Sequence, residues 1–246
     1  MGRALVVTHT ESEDPGHLGT WLPEGGLELD VVRPWAGDAL PDRVREHDAL
    51  VVMGGPQAAY DDSQSPWLRQ TKDLLRAAVQ DGVPVFGVCL GAQLLAEAMG
   101  GRVVRGESGP ELGAALVAKR DVAGNDPLFW DLPLSPVVVQ WHWDAIAELP
   151  PGSTLLLSGR RYPNQAFRVG PQAWGIQFHI ETPPEMVQRW AASDDAGVRE
   201  AGLDPVEVLA GAVAELDEVA EVWAEVVRRF ARHAVSVGQA GRSVSP

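Results

Sequence analysis

Cysteine is nearly missing from this chain: Cys89 is the only one among 246 residues. An internal disulfide is excluded, and no second cysteine is available to complete a metal cage. A lone thiol that survives unpaired suits a reducing compartment, so a cytoplasmic protein is expected. Basic residues are also few. Twenty Lys and Arg stand against 34 Asp and Glu, a formal net charge of −14, which argues against nucleic acid or an anionic membrane as the main partner. No apolar run is long enough to span a bilayer, and the chain opens directly into the strand-like Arg3-Ala4-Leu5-Val6-Val7 without a basic n-region or cleavage site. Val6 stands where a myristoylation signal beginning at Gly2 needs Ser or Thr. A phosphate loop of the Gly-x-x-x-x-Gly-Lys-Ser/Thr type is lacking, as is any internal repeat.

What remains is ordinary globular material, 45% apolar and 22% charged, enough for one large α/β domain. Continuous apolar runs at 3–7, 29–33, 49–53 and 84–88 alternate with helical spacing around His17 to Leu22 and from Pro66 to Gln80. That alternation predicts a mostly parallel sheet covered by helices on both faces. In such sheets the site lies beyond the carboxyl ends of the strands, where both Gly54-Gly55-Pro56 and Cys89 fall. After Gly101 the rhythm changes to shorter β-like runs (102–105, 114–119, 137–140, 154–157, 166–169 and 173–178), which predict a small antiparallel extension or second sheet. Helices are expected over 183–190 and from Asp204 to about Ala234, and the Gly/Ser-rich stretch 236–246 reads as a frayed tail.

Chemistry centres on Pro84-Val85-Phe86-Gly87-Val88-Cys89-Leu90-Gly91-Ala92-Gln93. Glycines two residues either side of the sulfur are the frame of a nucleophile elbow, where a strand ends in a strained turn and a helix starts at once. The helix N-terminus favours thiolate over thiol. Taken alone, a single cysteine in an apolar segment also fits a small buried hydrophobe. Downstream, Gly175-Ile176-Gln177-Phe178-His179-Ile180-Glu181 reads as a strand on which His179 and Glu181 share one face while Phe178 and Ile180 pack on the other. They form a base and the carboxylate that orients it, or, taken alone, a surface pair. A metal site is disfavoured, since nothing nearby in sequence completes the ligand set.

Together these residues resemble the class I glutamine amidotransferases, in particular free-standing relatives of the glutaminase domain of GMP synthetase. The marks are Gly54-Gly55-Pro56 with Tyr60-Asp61-Asp62 after it, the segment Gly87 to Gln93, Trp141-His142-Trp143-Asp144, and Gly175 to Glu181, in matching order and spacing. The resemblance covers a catalytic domain of about residues 1–192, leaving 193–235 as a helical extension packed on it and 236–246 as a flexible tail. It implies a flavodoxin-like fold and a Cys89-His179-Glu181 triad that hydrolyses the side-chain amide of glutamine through a γ-glutamyl thioester, with the Gly55 and Leu90 N–H groups as the oxyanion hole. It further implies substrate contacts at Gln93, Gly54, Trp141, His142 and Trp143, and no metal or other cofactor. The partner is a small molecule, glutamine or another γ-glutamyl compound, with a separate synthetase subunit as a possible ammonia acceptor. A γ-glutamyl peptide or amine hydrolase with the same triad is the alternative. Two positions depart from the pattern. Ile180 replaces a common Pro or Val, and Trp143 replaces a common Gly, its indole either narrowing the pocket or packing outward against Trp141 or the loop near Pro150.

Overall fold

The computed structural model describes residues 1–244, with side chains described through Gly241. Its first half is a βα alternation: β1 (Gly2–Val7), α1 (Leu18–Glu24), β2 (Leu27–Val32), β3 (Ala49–Val52), α2 (Trp67–Gln80), β4 (Val85–Val88) and α3 (Leu90–Ala98). Shorter strands follow: β5 (Arg102–Arg105), β6 (Glu111–Leu116), β7 (Ala118–Lys119), β8 (Val137–His142), β9 (Asp144–Glu148), β10 (Thr154–Ser158), β11 (Ala166–Val169) and β12 (Ala173–Ile176). The chain closes with α4 (Pro184–Ser193), α5 (Asp195–Glu200) and α6 (Pro205–Val244).

Eight strands form the main sheet in the order β2-β1-β3-β4-β12-β11-β10-β7. The first five are parallel and the last three run antiparallel, which is the mostly parallel sheet with an antiparallel extension that the sequence predicts. Strand β12 returns to pair with β4, in register from Ala173 against Val85 to Ile176 against Val88. The two-residue alternation of side chains sorts each strand between two cores. Ala4, Val6, Ala49, Val51, Phe86 and Val88 face α1, α4 and α6, whereas Leu5, Val7, Leu50, Val52 and Val85 face α2 and α3. Two small antiparallel ladders, β5 with β9 and β6 with β8, carry the segment 141–144 between them. Neither β9 nor α5 is predicted from the sequence.

The C-terminal region departs from the sequence reading. Instead of ending near Ala234 before a frayed tail, α6 continues through Val244; Pro246, with Ser245, lies outside the described residues. Its buried stripe of Ala212, Leu216, Val219, Trp223, Val227, Phe230 and Ala231 joins the core under α1, and the Trp223 indole donates to the Val137 carbonyl at 2.9 Å. Beyond Ala234, Val235 packs against Gly2 and Gly26, and Gly238 lies directly against Asp48. Tertiary contact overrides the weak helix propensity of a Gly/Ser-rich stretch. Among the described residues no helix is long and apolar enough to cross a membrane.

Two glycines test how far packing controls this architecture. A Cβ on Gly91 would lie 2.0 Å from the Val52 carbonyl oxygen, while one on the exposed helical Gly211 meets nothing within 4 Å. Gly91→Ala is expected to cost about 3 kcal/mol or more of unfolding free energy through backbone overlap. Gly211→Ala should add about 0.5–1 kcal/mol by helix propensity alone. Denaturant unfolding of both variants checks the opposite signs.

Candidate active site

At the end of β4 the chain turns into α3 within one residue. Cys89 makes that turn with φ 50° and ψ −106°, the only non-glycine among the described residues with a left-handed φ. Such a conformation costs about 1–3 kcal/mol and persists only where its surroundings over-determine it. Here they do. The Cys89 N–H donates to Ile176 O at 2.8 Å and its carbonyl accepts the Gln93 N–H at 3.0 Å. The tight crossing is possible because Gly87 and Gly91 lack side chains: a Cβ on Gly87 would meet the Gly91 carbonyl group at 2.7 Å. The sulfur is thus held at a strand end, beside the first-turn N–H groups of α3, which have no intrahelical partner.

The parallel pairing of β12 with β4 brings the chain out next to Cys89. There the structure differs in detail from the strand predicted over 173–178. Strand β12 stops at Ile176, and His179 instead forms a single antiparallel bridge to Val139 of β8, with N···O distances of 2.7 and 3.1 Å. Phe178 and Ile180 are buried in the core. His179 Nδ1 pairs with Glu181 Oε1 at 2.7 Å, both side chains being 2% exposed. Glu181 Oε2 accepts the Ile180 N–H at 2.9 Å, and the imidazole is electrostatically coupled to Cys89. Burial by itself pulls the His179 pKa down, but the Glu181 carboxylate and Cys89 outweigh it and hold the value well above the ordinary 6.5. Burial pushes Glu181 up, and the imidazole together with backbone N–H groups brings it below the ordinary 4.5. Gln177, unassigned by the sequence reading, points its amide at the sulfur from 3.9 Å.

The loop after β3 supplies the opposite wall. A Cβ on Gly55 would lie 2.9 Å from Leu90 Cδ2 and 2.7 Å from His9 Cβ, so only glycine lets this backbone approach the start of α3. Around Cys89 opens a cavity of about 440 Å³, lined also by Gly55, Gln93, Trp141, His142 and Trp143. Gln93 is buried and donates to Asp144 O (3.3 Å) and Gln177 Oε1 (3.1 Å). Both nitrogens of His142 are engaged, Nδ1 with Asp144 O and Nε2 with Gln140 and Glu111, so the ring braces the 141–144 segment. Trp141 packs on Trp190, which in turn lies over His179 with centroids 4.5 Å apart.

Trp143 takes the inward of the two placements expected of it, not the outward one against Trp141 or Pro150. Its indole lines the cavity and is pinned from behind: Nε1 donates to Asp194 Oδ2 at 3.1 Å, the ring rests on Gly197, and the Arg105 guanidinium sits 4.5 Å above it. Asp144 completes this rim with its Oδ1 accepting from Tyr60 at 3.4 Å. Burial raises the Asp144 pKa, against the opposing pull of Arg105 and the Tyr60 hydroxyl. The sequence reading also missed Glu13. Its Oε2 is sealed from solvent without a hydrogen-bond partner, beside Gly54.

Because folded Glu181 titrates below its unfolded value, its stabilisation is complete above about pH 4.5 and is lost as pH falls through the lower, folded pKa. Glu181→Gln should therefore unfold more easily at pH 7, by about 1–3 kcal/mol. The gap to the wild-type protein should close on acidification, as denaturant titrations across that range would show.

A family profile described as glutamine amidotransferase class-I matches residues 22–189. The glutamine amidotransferase-like protein YfeJ of Salmonella typhimurium is 31% identical over 189 residues, covering 76% of this chain and 78% of that protein. GMP synthase (glutamine-hydrolyzing) of Bacillus subtilis is 32% identical over 54% of this chain, a match that spans only 24% of the synthase. Gamma-glutamyl peptidase 4 of Arabidopsis thaliana is 27% identical over 65% of this chain and 64% of its own length. A crystal structure of a glutamine amidotransferase from Thermotoga maritima superposes with a TM-score of 0.82 at 29% identity, covering 94% of this chain and 98% of that one. The elbow, the paired sheet ends and these matches agree, and the chain belongs to the class I glutamine amidotransferase family.

Proposed function

We propose that the protein hydrolyses the side-chain amide of glutamine through a covalent γ-glutamyl thioester on Cys89. The observation that carries the reading is the meeting of a strained Cys89, which opens onto a cavity, with the buried His179–Glu181 pair beyond the ends of two adjacent parallel strands. At the first step His179, its pKa held well above the ordinary 6.5, already carries the proton that the thiol gives up, and Sγ bonds to the γ-carbonyl carbon. The tetrahedral oxyanion is received by the N–H groups of Gly55 and Leu90. Its collapse breaks the C–N bond while His179 delivers the proton to the departing nitrogen, releasing ammonia. Water, deprotonated by His179, then attacks the thioester, the C–S bond breaks, and glutamate leaves with the thiol restored. Glu181 holds the imidazole tautomer and stabilises its charged form. Every role falls to a side chain or backbone N–H, so no metal or nucleotide is required.

Gln93 binds the amino-acid end of the substrate, and Gly54, Trp141, His142 and Trp143 make the remaining substrate contacts, with His142 acting through its hold on the 141–144 backbone. Ammonia passes to a separate acceptor or synthetase, in a reducing compartment such as the cytoplasm that keeps Cys89 as a thiol. A second reading, cleavage of γ-glutamyl peptides or amines by the same steps, is favoured by the 440 Å³ cavity and its Trp143–Arg105 wall. A gamma-glutamyl peptidase among the relatives points the same way.

Incubation of the pure protein with glutamine and a panel of γ-glutamyl compounds, with ammonia, glutamate and free amine measured, tests both readings. Cys89→Ser should lower kcat by about three orders of magnitude or more while the fold persists. His179→Ala should cost more than Glu181→Gln, and the two losses should fall well short of additive because the groups act as one unit. Near-normal turnover by Cys89→Ser would overturn the thioester.

Trp143 supplies a further test, since it is the wall that a glycine at this position would remove. Trp143→Gly should shift the ratio of glutamine to γ-glutamyl-peptide turnover by about 1–3 kcal/mol of selectivity. If the ratio is unchanged within error, the indole is scaffold only.

A further inference from the structure

Glu13 is a buried carboxyl to which the thioester steps assign no role. It sits in the loop between β1 and α1, and that loop is pulled against the catalytic pair. Gly16, at φ 49°, comes so close to the Glu181 carbonyl that a Cβ there would lie 2.1 Å from its oxygen, and the His17 N–H donates to the same oxygen at 2.8 Å. The loop therefore follows Glu181, and Glu13 is placed rather than free. Its Oε2 and His179 Cε1 converge on one point, lying 2.2 and 3.2 Å from the position of a Cβ on Gly54. Glu13 lines the cavity beside Ser12 and Gln57, yet among the described residues its Oε2 has no hydrogen-bond partner and no cation lies within ion-pair distance of it. A buried, unsatisfied carboxylate oxygen is costly, and one that persists beside a reactive centre has an occupant to receive.

The identity of that occupant follows from its neighbour. In the thioester reading, on which this inference rests, His179 hands its proton to the departing nitrogen, so a carboxyl at the edge of the same imidazole lies on the leaving-group side. We propose that Glu13 is a specificity residue that receives the departing amine. It favours ammonia or amines that carry N–H donors or a second ammonium group, and it repels leaving groups that carry a carboxylate, such as amino acids and peptides. Glutamine remains a substrate, and within the second reading above Glu13 selects γ-glutamyl amides of alkylamines or diamines over γ-glutamyl peptides.

Charge state makes the idea testable. Burial pushes the Glu13 pKa up to about 7, with the His179 charge pulling it down and Glu181 pushing it further up. Of the other charges around it, Arg189 of α4 is engaged with the Ser12 carbonyl at 3.4 Å and Asp14 on the same loop accepts the Gly16 N–H at 2.8 Å; Glu11 lies on that loop too, and Arg105, which sits over Trp143, lines the same cavity with Asp144 and Asp194. The carboxyl is thus neutral in mild acid and ionised in mild base, and discrimination should grow as pH rises through about 7.

The experiment measures kcat/KM at pH 6 and pH 8 for glutamine, the mono-γ-glutamyl amide of 1,4-diaminobutane, and γ-glutamylglycine, with wild-type protein and Glu13→Gln. In the wild type the diamine-to-glycine ratio should rise by about tenfold from pH 6 to pH 8. In Glu13→Gln it should stay low and flat. Should the variant fold poorly, the wild-type pH series alone decides the matter. A wild-type ratio that does not change with pH, while glutamine is still consumed, would overturn the role of Glu13 and leave the thioester reading standing. Failure of the wild type to turn over any of the three would overturn both.

Discussion

The contact on which the site depends is the crossing of α3 over the sheet at Gly91. Its Cα sits so close to the Val52 carbonyl that no side chain fits, and Gly87 meets Gly91 in the same way from β4. That approach forces the residue between them into a left-handed turn, and Cys89 accepts the strain because its backbone is tied at both ends, to Ile176 of β12 and to Gln93 of α3. A cysteine on a relaxed strand would alternate into one core or the other. Here the turn lifts the sulfur off the sheet and towards the cavity. The steric fact comes first, and the chemistry follows from where it leaves the thiol.

The second constraint is electrostatic. Four ionisable groups, Cys89, His179, Glu181 and Glu13, occupy one nearly dry region where charge is costly to bury. Three of them solve the problem mutually: the imidazole takes a carboxylate on one nitrogen and engages the thiol, and the carboxylate takes a backbone N–H on its second oxygen. Glu13 stands outside that arrangement. Its raised pKa, about 7, is the response expected of a carboxyl that must either stay neutral or find a donor. Two glutamates within reach of one histidine thus differ, one held low by its partners and one pushed high by burial without them.

Much of this arrangement is legible in the sequence, and the limits have physical causes. The five parallel strands announce themselves as continuous apolar runs because both faces are covered, and the elbow is visible because only a glycine frame permits it. Strand alternation puts His179 and Glu181 on a common face, whereas in the structure the chain leaves the ladder at Ile176 and is held by one bridge to Val139 and by the carboxylate itself. The outcome agrees although the backbone route differs. Elements that owe their shape to distant partners are not legible: β9 exists through its pairing with β5, and the last turns of α6 pack against Asp48 and Gly2 despite a composition that suggests fraying. Glu13 gives no local signal at all, since its position follows from a backbone contact between residues 16 and 181.

The cavity divides along the same line. Its floor, comprising Cys89 and the Gly55 loop with the His179 segment packed behind them, is built from the carboxyl ends of adjacent parallel strands, whose spacing is set by the sheet and tolerates little change. Its rim is built from parts the sheet does not dictate: the corner between β8 and β9, Arg105 at the end of β5, and Asp194 between α4 and α5. Trp143 illustrates the consequence. Its neighbours in sequence suggest contacts with Trp141 or Pro150, but it is captured by an acid and a glycine some fifty residues later and by a cation from another ladder. The geometry around Cys89 is therefore a property of the sheet and can be read from short motifs. The shape of the rim is a property of how later segments fold back over it, and it becomes readable only once those segments are in place.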